Sequence, residues 1–192
     1  MTYSRRKTLA LIGGGTVVAA AAGVGLFAST RTPTAALAPW DRAGQYADPR
    51  LRAMSYALLA PNPHNRQPWE AELVGDDTVR IWRDSARDLP VTDPLARQLT
   101  IGMGCFLDLM RMAAAEEGYG IDQTLFPDGE TGPVAVCRFV AGAVQPDPLF
   151  AHVLERRSHK EVFSDRPLDA ASVDIITPRV DLLAQGDEAQ AT

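Results

Sequence analysis

Near the start of the chain lies a run in which no position is charged, and only after it do apolar and polar residues settle into periodic patterns. Residues 8–30 form that run, preceded by Ser4-Arg5-Arg6-Lys7. From Pro49 the pattern turns helical, with Leu51, Met54 and Leu58 at i, i+3 and i+7, and Pro61 ends it. Residues 61–68 hold three prolines, which predicts an irregular loop. Residues 69–74 and 78–83 alternate around Gly75-Asp76-Asp77, a hairpin pattern. Asp93-Pro94 reads as a capped helix start, with Gly118 as terminator just past Glu117. Leu95, Leu99, Met103, Phe106 and Met110 line one face of this helix, while Ile101, Leu107, Leu109 and Met112 cover much of the rest. Such a helix is predicted to be central and buried. Residues 121–126 and 134–140 read as strands, residues 148–157 and 169–184 as helices, and residues 31–48 as a tether. Short strands mixed with helices, without repeated βαβ units, predict an α+β domain.

The leader is a targeting segment rather than part of a fold. Its core is weakly apolar, with Gly13-Gly14-Gly15, Gly23, Gly25 and the run Ala19 to Ala22, and S-R-R-x-x-L resembles a twin-arginine translocation signal. Its length also suits a bilayer crossing of roughly 20 residues, so a plain membrane anchor with incidental arginines is the competing reading. Ala36-Leu37-Ala38 offers a small-residue cleavage pattern, with Pro39 immediately after it. Both readings place the chain beyond residue 38 outside the cytoplasm, either anchored or released. Residues 1–38 contain Arg5, Arg6, Lys7 and Arg31 and no acid, so the remainder carries 15 basic against 24 acidic side chains. That balance argues against a nucleic-acid partner. Cys105 and Cys137 lie among apolar neighbours and read as buried free thiols, although an exported chain permits a disulfide.

Two segments carry candidate chemistry. In the loop at residues 61–69, Asn65 and Gln67 each offer an amide that donates and accepts, which suits the edge of a flavin or nucleotide ring. The alternative is a surface loop whose amides cap neighbouring backbone. Arg156-Arg157-Ser158-His159-Lys160 gathers cations and a hydroxyl at a predicted helix end, a cradle for a phosphate. The alternative there is a solvated helix end favoured by the helix dipole.

Residues 58–69, LLAPNPHNRQPW, resemble the P-S-x-x-N-x-Q-P-W loop of the FMN-dependent nitroreductase family. Residues 156–163, RRSHKEVF, with Asp165-Arg166-Pro167 after them, resemble its R-R-[ST]-x-[RK] phosphate segment. The order of the two, and residues 89–102 (LPVTDPLARQLTIG), are similar to the Acg-like branch, in which two nitroreductase-like halves are fused. The resemblance implies a nitroreductase-like fold with FMN as cofactor. It implies that Asn65 and Gln67 line the flavin, that Asn62 and His64 stand nearby, and that Arg156, Arg157, Ser158 and Lys160 hold the phosphate. Asn62 stands where the family has a small residue, often serine. It further implies a leader at 1–38, a first half at 39–155 and the opening of a second half at 156–192, truncated, with a homodimer as one way to complete the site.

The function so implied is an exported oxidoreductase passing electrons from a reduced nicotinamide or another donor through flavin to a small acceptor such as a nitro or quinone compound. The second reading is a non-catalytic FMN binder or a remnant anchored at the membrane through residues 8–30. No catalytic side chain is nominated, because flavin supplies the redox chemistry. His64, His152 and His159 show no H-x-x-x-H or H-x-H spacing for a metal, and no G-x-S-x-G turn signals a serine hydrolase.

Overall fold

A computed structural model of the chain describes residues 21–27, 29–30, 34–174 and 177. Within the leader's apolar run, residues 21–27, 29 and 30 are helical and the rest lies outside the described residues. Among the described residues no helix is long and apolar enough to cross a membrane. The chain divides into two compact units, Met1–Arg156 and Arg157–Thr192.

The first unit is α+β, as the patterning predicted. Helix α1 spans Thr34–Arg42, where the sequence reading expected a tether. Ala35, Ala36, Leu37 and Ala38 are strong helix formers and carry the segment in spite of Pro39. Helix α2, Pro49–Ala57, is capped by Asp48, whose carboxylate accepts from the Arg50 amide at 2.8 Å. The two strands of the expected hairpin form where the alternation placed them, β1 over Trp69–Val74 and β2 over Thr78–Arg83. Helix α3, Arg97–Glu116, is followed by β3, Tyr119–Leu125, and β4, Ala135–Ala141. The four strands form one antiparallel sheet in the order β1-β2-β4-β3.

Alternation along β2 and β4 turns one face inward. Val79 and Ile81 pair with Cys137 and Ala135, and all four are fully buried. Against that face lies α3, whose Leu99, Met103, Phe106 and Met110 are buried, as is Leu107. The helix ends where Gly118 takes φ +76°, a conformation costly for other residues.

Three expectations about this core need correction. The helix starts at Arg97, not at Asp93-Pro94, because the chain makes a further turn there and Ala96 adopts a left-handed φ of 53°. Asp93 nonetheless caps it from a distance: its buried carboxylate accepts from the Leu99 amide, the third of the helix, at 2.9 Å. Leu95 therefore precedes the helix and is 88% exposed, and Ile101 is also exposed. On α2 the buried face is Arg50, Ala53, Met54 and Ala57, whereas Leu51 and Leu58 are partly exposed. Small alanines let α2 approach α3 closely, and the larger leucines are turned away. Residues 148–157 form only a 3-10 turn, Pro148–His152, whose Phe150 meets the Tyr56 ring edge-on at 4.9 Å.

Arg50 ties the unit together. Its guanidinium pairs with Asp48 at 2.8 Å and also donates to the carbonyls of Gly75 and Thr78 at 2.8 and 3.2 Å. One buried cation thus joins the start of α2 to the turn between β1 and β2. That hydrogen bond holds the Asp48 carboxyl below the usual carboxylate range.

Candidate functional site: the loop before the hairpin

The segment between α2 and β1 is shaped by fixed points and by a glycine. Pro63–Asn65 form a short 3-10 turn within the predicted irregular loop. His64, Asn65 and Gln67 all take left-handed φ values, 50°, 51° and 49°. Asparagine tolerates this region, but histidine and glutamine do so at a cost of about 1–2 kcal/mol each. Such a run persists only where the surroundings hold it.

Asn62 supplies the inner hold. Its side-chain oxygen accepts from the Gln67 amide at 2.8 Å, and its side-chain nitrogen donates to the Ala60 carbonyl at 3.3 Å. One side chain links its own position to the backbone five residues further along the loop. The structure thus engages Asn62 within the loop itself. Arg66 supplies the outer hold: its guanidinium donates to the carbonyls of Arg87 and Ala86 at 2.8 and 3.3 Å, while Arg87 donates back to the Arg66 carbonyl at 2.9 Å. The Asp84 amide adds a bond to the Pro68 carbonyl at 2.7 Å.

The third hold is packing. The loop lies on α3 at Gly102, where a Cβ would meet the Asn62 Cβ at 3.2 Å and Pro63 Cδ at 3.3 Å. A side chain there would push the loop back by a few tenths of an ångström, so glycine lets it sit this near the helix. His64 and Asn65 are exposed and Gln67 half-buried, and among the described residues none of their side chains makes a hydrogen bond. Two amides with donor and acceptor free, presented on a braced backbone, fit the polar edge of a flavin ring.

The predicted phosphate segment falls on both sides of the boundary between units. Arg156 closes the first unit, and its guanidinium donates to the Leu59 carbonyl at 2.7 Å, two residues before the loop. It therefore serves to anchor the loop's approach. Arg157, Ser158, His159 and Lys160 belong to the second unit and are exposed. Within that unit the rings of His159 and Phe163 lie 4.9 Å apart, and the Asp169 carboxylate caps residues 170–174 by accepting from the Ser172 amide at 2.8 Å. The remainder of the helix expected to residue 184, residue 177 apart, lies outside the described residues.

Both cysteines are free thiols, with Cys137 buried and Cys105 partly so. Burial pushes the Cys137 thiol up to about 12 and raises Cys105 as well, so neither is poised as a nucleophile. Among the described residues no three His, Cys, Asp or Glu side chains come together as a metal site.

The clasp between Arg66 and Arg87 and the contact at Gly102 escaped the sequence reading. An R-x-x-x-x-x spacing carries no signal for a backbone partner twenty residues away, and Gly102 is one of several glycines in an apolar stretch.

No protein-family model matches the chain. A Mycobacterium tuberculosis protein named "Putative NAD(P)H nitroreductase acg" is 37% identical over 76 residues, covering 40% of this chain and 23% of that protein. A second from the same organism, bearing the same kind of nitroreductase name with the designation Rv3131, is 26% identical over 133 residues, 66% of this chain and 37% of its own length. An uncharacterised protein of that organism, Rv3127, is 36% identical over 78 residues. The matched stretches span between 23% and 37% of the curated relatives. An α+β unit with an antiparallel sheet is compatible with these likenesses, and by them the chain is nitroreductase-like.

Proposed function

We propose that this chain is a flavin-binding oxidoreductase of nitroreductase type, exported across the cytoplasmic membrane with FMN as cofactor. The observation that carries the reading is the braced loop. Its backbone holds Asn65 and Gln67 in left-handed conformations, and their side-chain amides make no hydrogen bond among the described residues, which is an arrangement suited to an external ring. Asn62, Arg66 and Gly102 fix the loop, so little ordering entropy is lost on binding. Arg157, Ser158 and Lys160, with Arg156, supply the charge and hydroxyl that a phosphate needs. His64 stands at the loop's exposed turn. When bound, FMN supplies transfer of electrons between a reduced nicotinamide or other donor and a small acceptor. The protein's own part is to bind, orient and shield.

Titration with FMN and riboflavin, read by quenching of flavin fluorescence, tests this. Replacing Arg157 and Lys160 together by alanine removes two charge-assisted contacts of about 1.5–3 kcal/mol each, so FMN should bind at least about a hundredfold more weakly. Riboflavin affinity should hardly change. Arg156 is spared because it also holds the Leu59 carbonyl. Equal FMN affinity in parent and variant would sink the phosphate assignment.

A second reading is FMN binding without turnover. Failure of the FMN-loaded protein to oxidise a reduced nicotinamide with a quinone present would select it. For export, changing Arg5 and Arg6 to lysine should abolish twin-arginine-dependent secretion of a fused reporter, and persisting secretion would select a plain anchor. A membrane anchor through residues 8–30, and a homodimer, complete the proposal.

A further inference from the structure

A cavity of about 670 Å³ opens where the end of β2, the first turn of α3 and the β3–β4 connection meet. None of the candidate cofactor-binding residues named from the sequence lines it. We propose that it binds an uncharged aromatic molecule carrying hydroxyl or carbonyl groups, at a site separate from the one proposed for FMN.

Its size lies within the range that holds a small organic ligand. Phe126 contributes an aromatic side, Trp82 borders the space at the end of β2, and fully buried Met103 contributes apolar surface. The Phe126 ring is placed by backbone rather than by packing. Phe126 takes φ 45°, its amide donates to the Val134 carbonyl at 3.0 Å, and its own carbonyl accepts from Gly129 at 3.0 Å. The ring remains 45% exposed, so it adds little to the core. A bulky residue held in a left-handed conformation to present an exposed ring to a cavity costs stability without a structural return. Ala96, also left-handed, lines the same space.

Polar groups in the cavity indicate the ligand's charge. The Arg83 guanidinium is paired with Asp88, and Glu130 is the acid in the lining. Among the described residues that line the space no other cation occurs, which disfavours an anion. The Ser85 and Thr131 hydroxyls make no hydrogen bond among the described residues, and each can donate and accept. An aromatic ring and apolar surface with two free hydroxyls match a flat, neutral molecule with hydrogen-bonding substituents.

Calorimetric titration with 2-naphthol tests the assignment, with and without saturating FMN. Saturable binding at one equivalent, unaffected by FMN, is expected. Phe126→Gly removes the ring and relieves the backbone strain, so the fold survives and affinity should fall at least about tenfold. Thr100→Phe, at an exposed helix position lining the cavity, should fill it and abolish binding. Non-saturating uptake, or parent-like affinity in both variants, would overturn the site. Competition by FMN would show that the cavity is the flavin pocket instead. Binding of 2-naphthoate as tight as that of 2-naphthol would overturn the charge argument.

Discussion

The buried helix α3 and the loop that crosses it at Gly102 are held in place by opposite means. Packing fixes α3: Leu99, Met103, Phe106 and Met110 fill the space above the sheet, and its backbone is regular. The loop has no buried apolar side chain but Pro68, and three of its residues are left-handed. It is fixed instead by the Asn62 side chain, the Arg66–Arg87 clasp and the missing Cβ of Gly102. Rigidity from packing is spread over many contacts, each small. Rigidity from a few directed bonds is local, and it leaves the neighbouring Asn65 and Gln67 side chains without a hydrogen bond among the described residues. The difference separates what carries the fold from what positions the proposed site.

Breaking the helix side of this comparison should have the largest effect. Phe106 is 1% exposed and its ring lies 4.9 Å from that of Trp69, so Phe106→Ala should cost about 3–5 kcal/mol in chemical denaturation. An unchanged midpoint would show that α3 does not organise the core. Arg50→Met should cost about 3 kcal/mol at neutral pH, by breaking a mostly buried pair and orphaning two carbonyls. The pH dependence has a definite sign. Because Arg50 depresses the Asp48 carboxyl, its contribution is complete above the unfolded value near 3.9 and is lost as pH falls through the lower folded value. The gap between parent and variant should therefore begin to narrow as pH falls below about 4, the part owed to the two carbonyls remaining, and a gap that stays constant there would refute the linkage.

The loop side should respond in position more than in stability. Gly102→Ala gains about 1 kcal/mol of helix propensity and loses a comparable amount to overpacking against Asn62 and Pro63. Thermal stability should change by no more than a few degrees, whereas backbone amide resonances across residues 61–68 should move. Unmoved resonances would mean that the loop does not rest on the helix.

The patterning of the sequence located both regions with unequal completeness. Alternation in residues 69–83 placed β1 and β2, because a sheet with one buried face imposes a period of two. The density of apolar residues around Phe106 showed a central helix, but Asp93-Pro94 gave its start three residues early. Local capping preference lost there to an extra turn, from which Asp93 still reaches the Leu99 amide. On α2, equal hydrophobicity of Leu51, Met54 and Leu58 concealed that close helix packing selects the alanine face. The loop was legible as a loop through its prolines, and its Asn65 and Gln67 through the resemblance to nitroreductases. Its clamps were not, since Arg66 and Arg87 bond to backbone carbonyls that any residue would offer.

The sequence by itself determined the α+β character, the two hairpin strands, the central helix and the acidic charge of the body, because each follows from local periodicity or composition. Only the tertiary structure decided that Asn62 braces its own loop, that Arg156 holds the Leu59 carbonyl, and that Phe126 faces a cavity. Those outcomes depend on which distant backbone atoms lie within about 3 Å of a side chain, and hydrogen-bond geometry at that range is set by packing rather than by sequence neighbours.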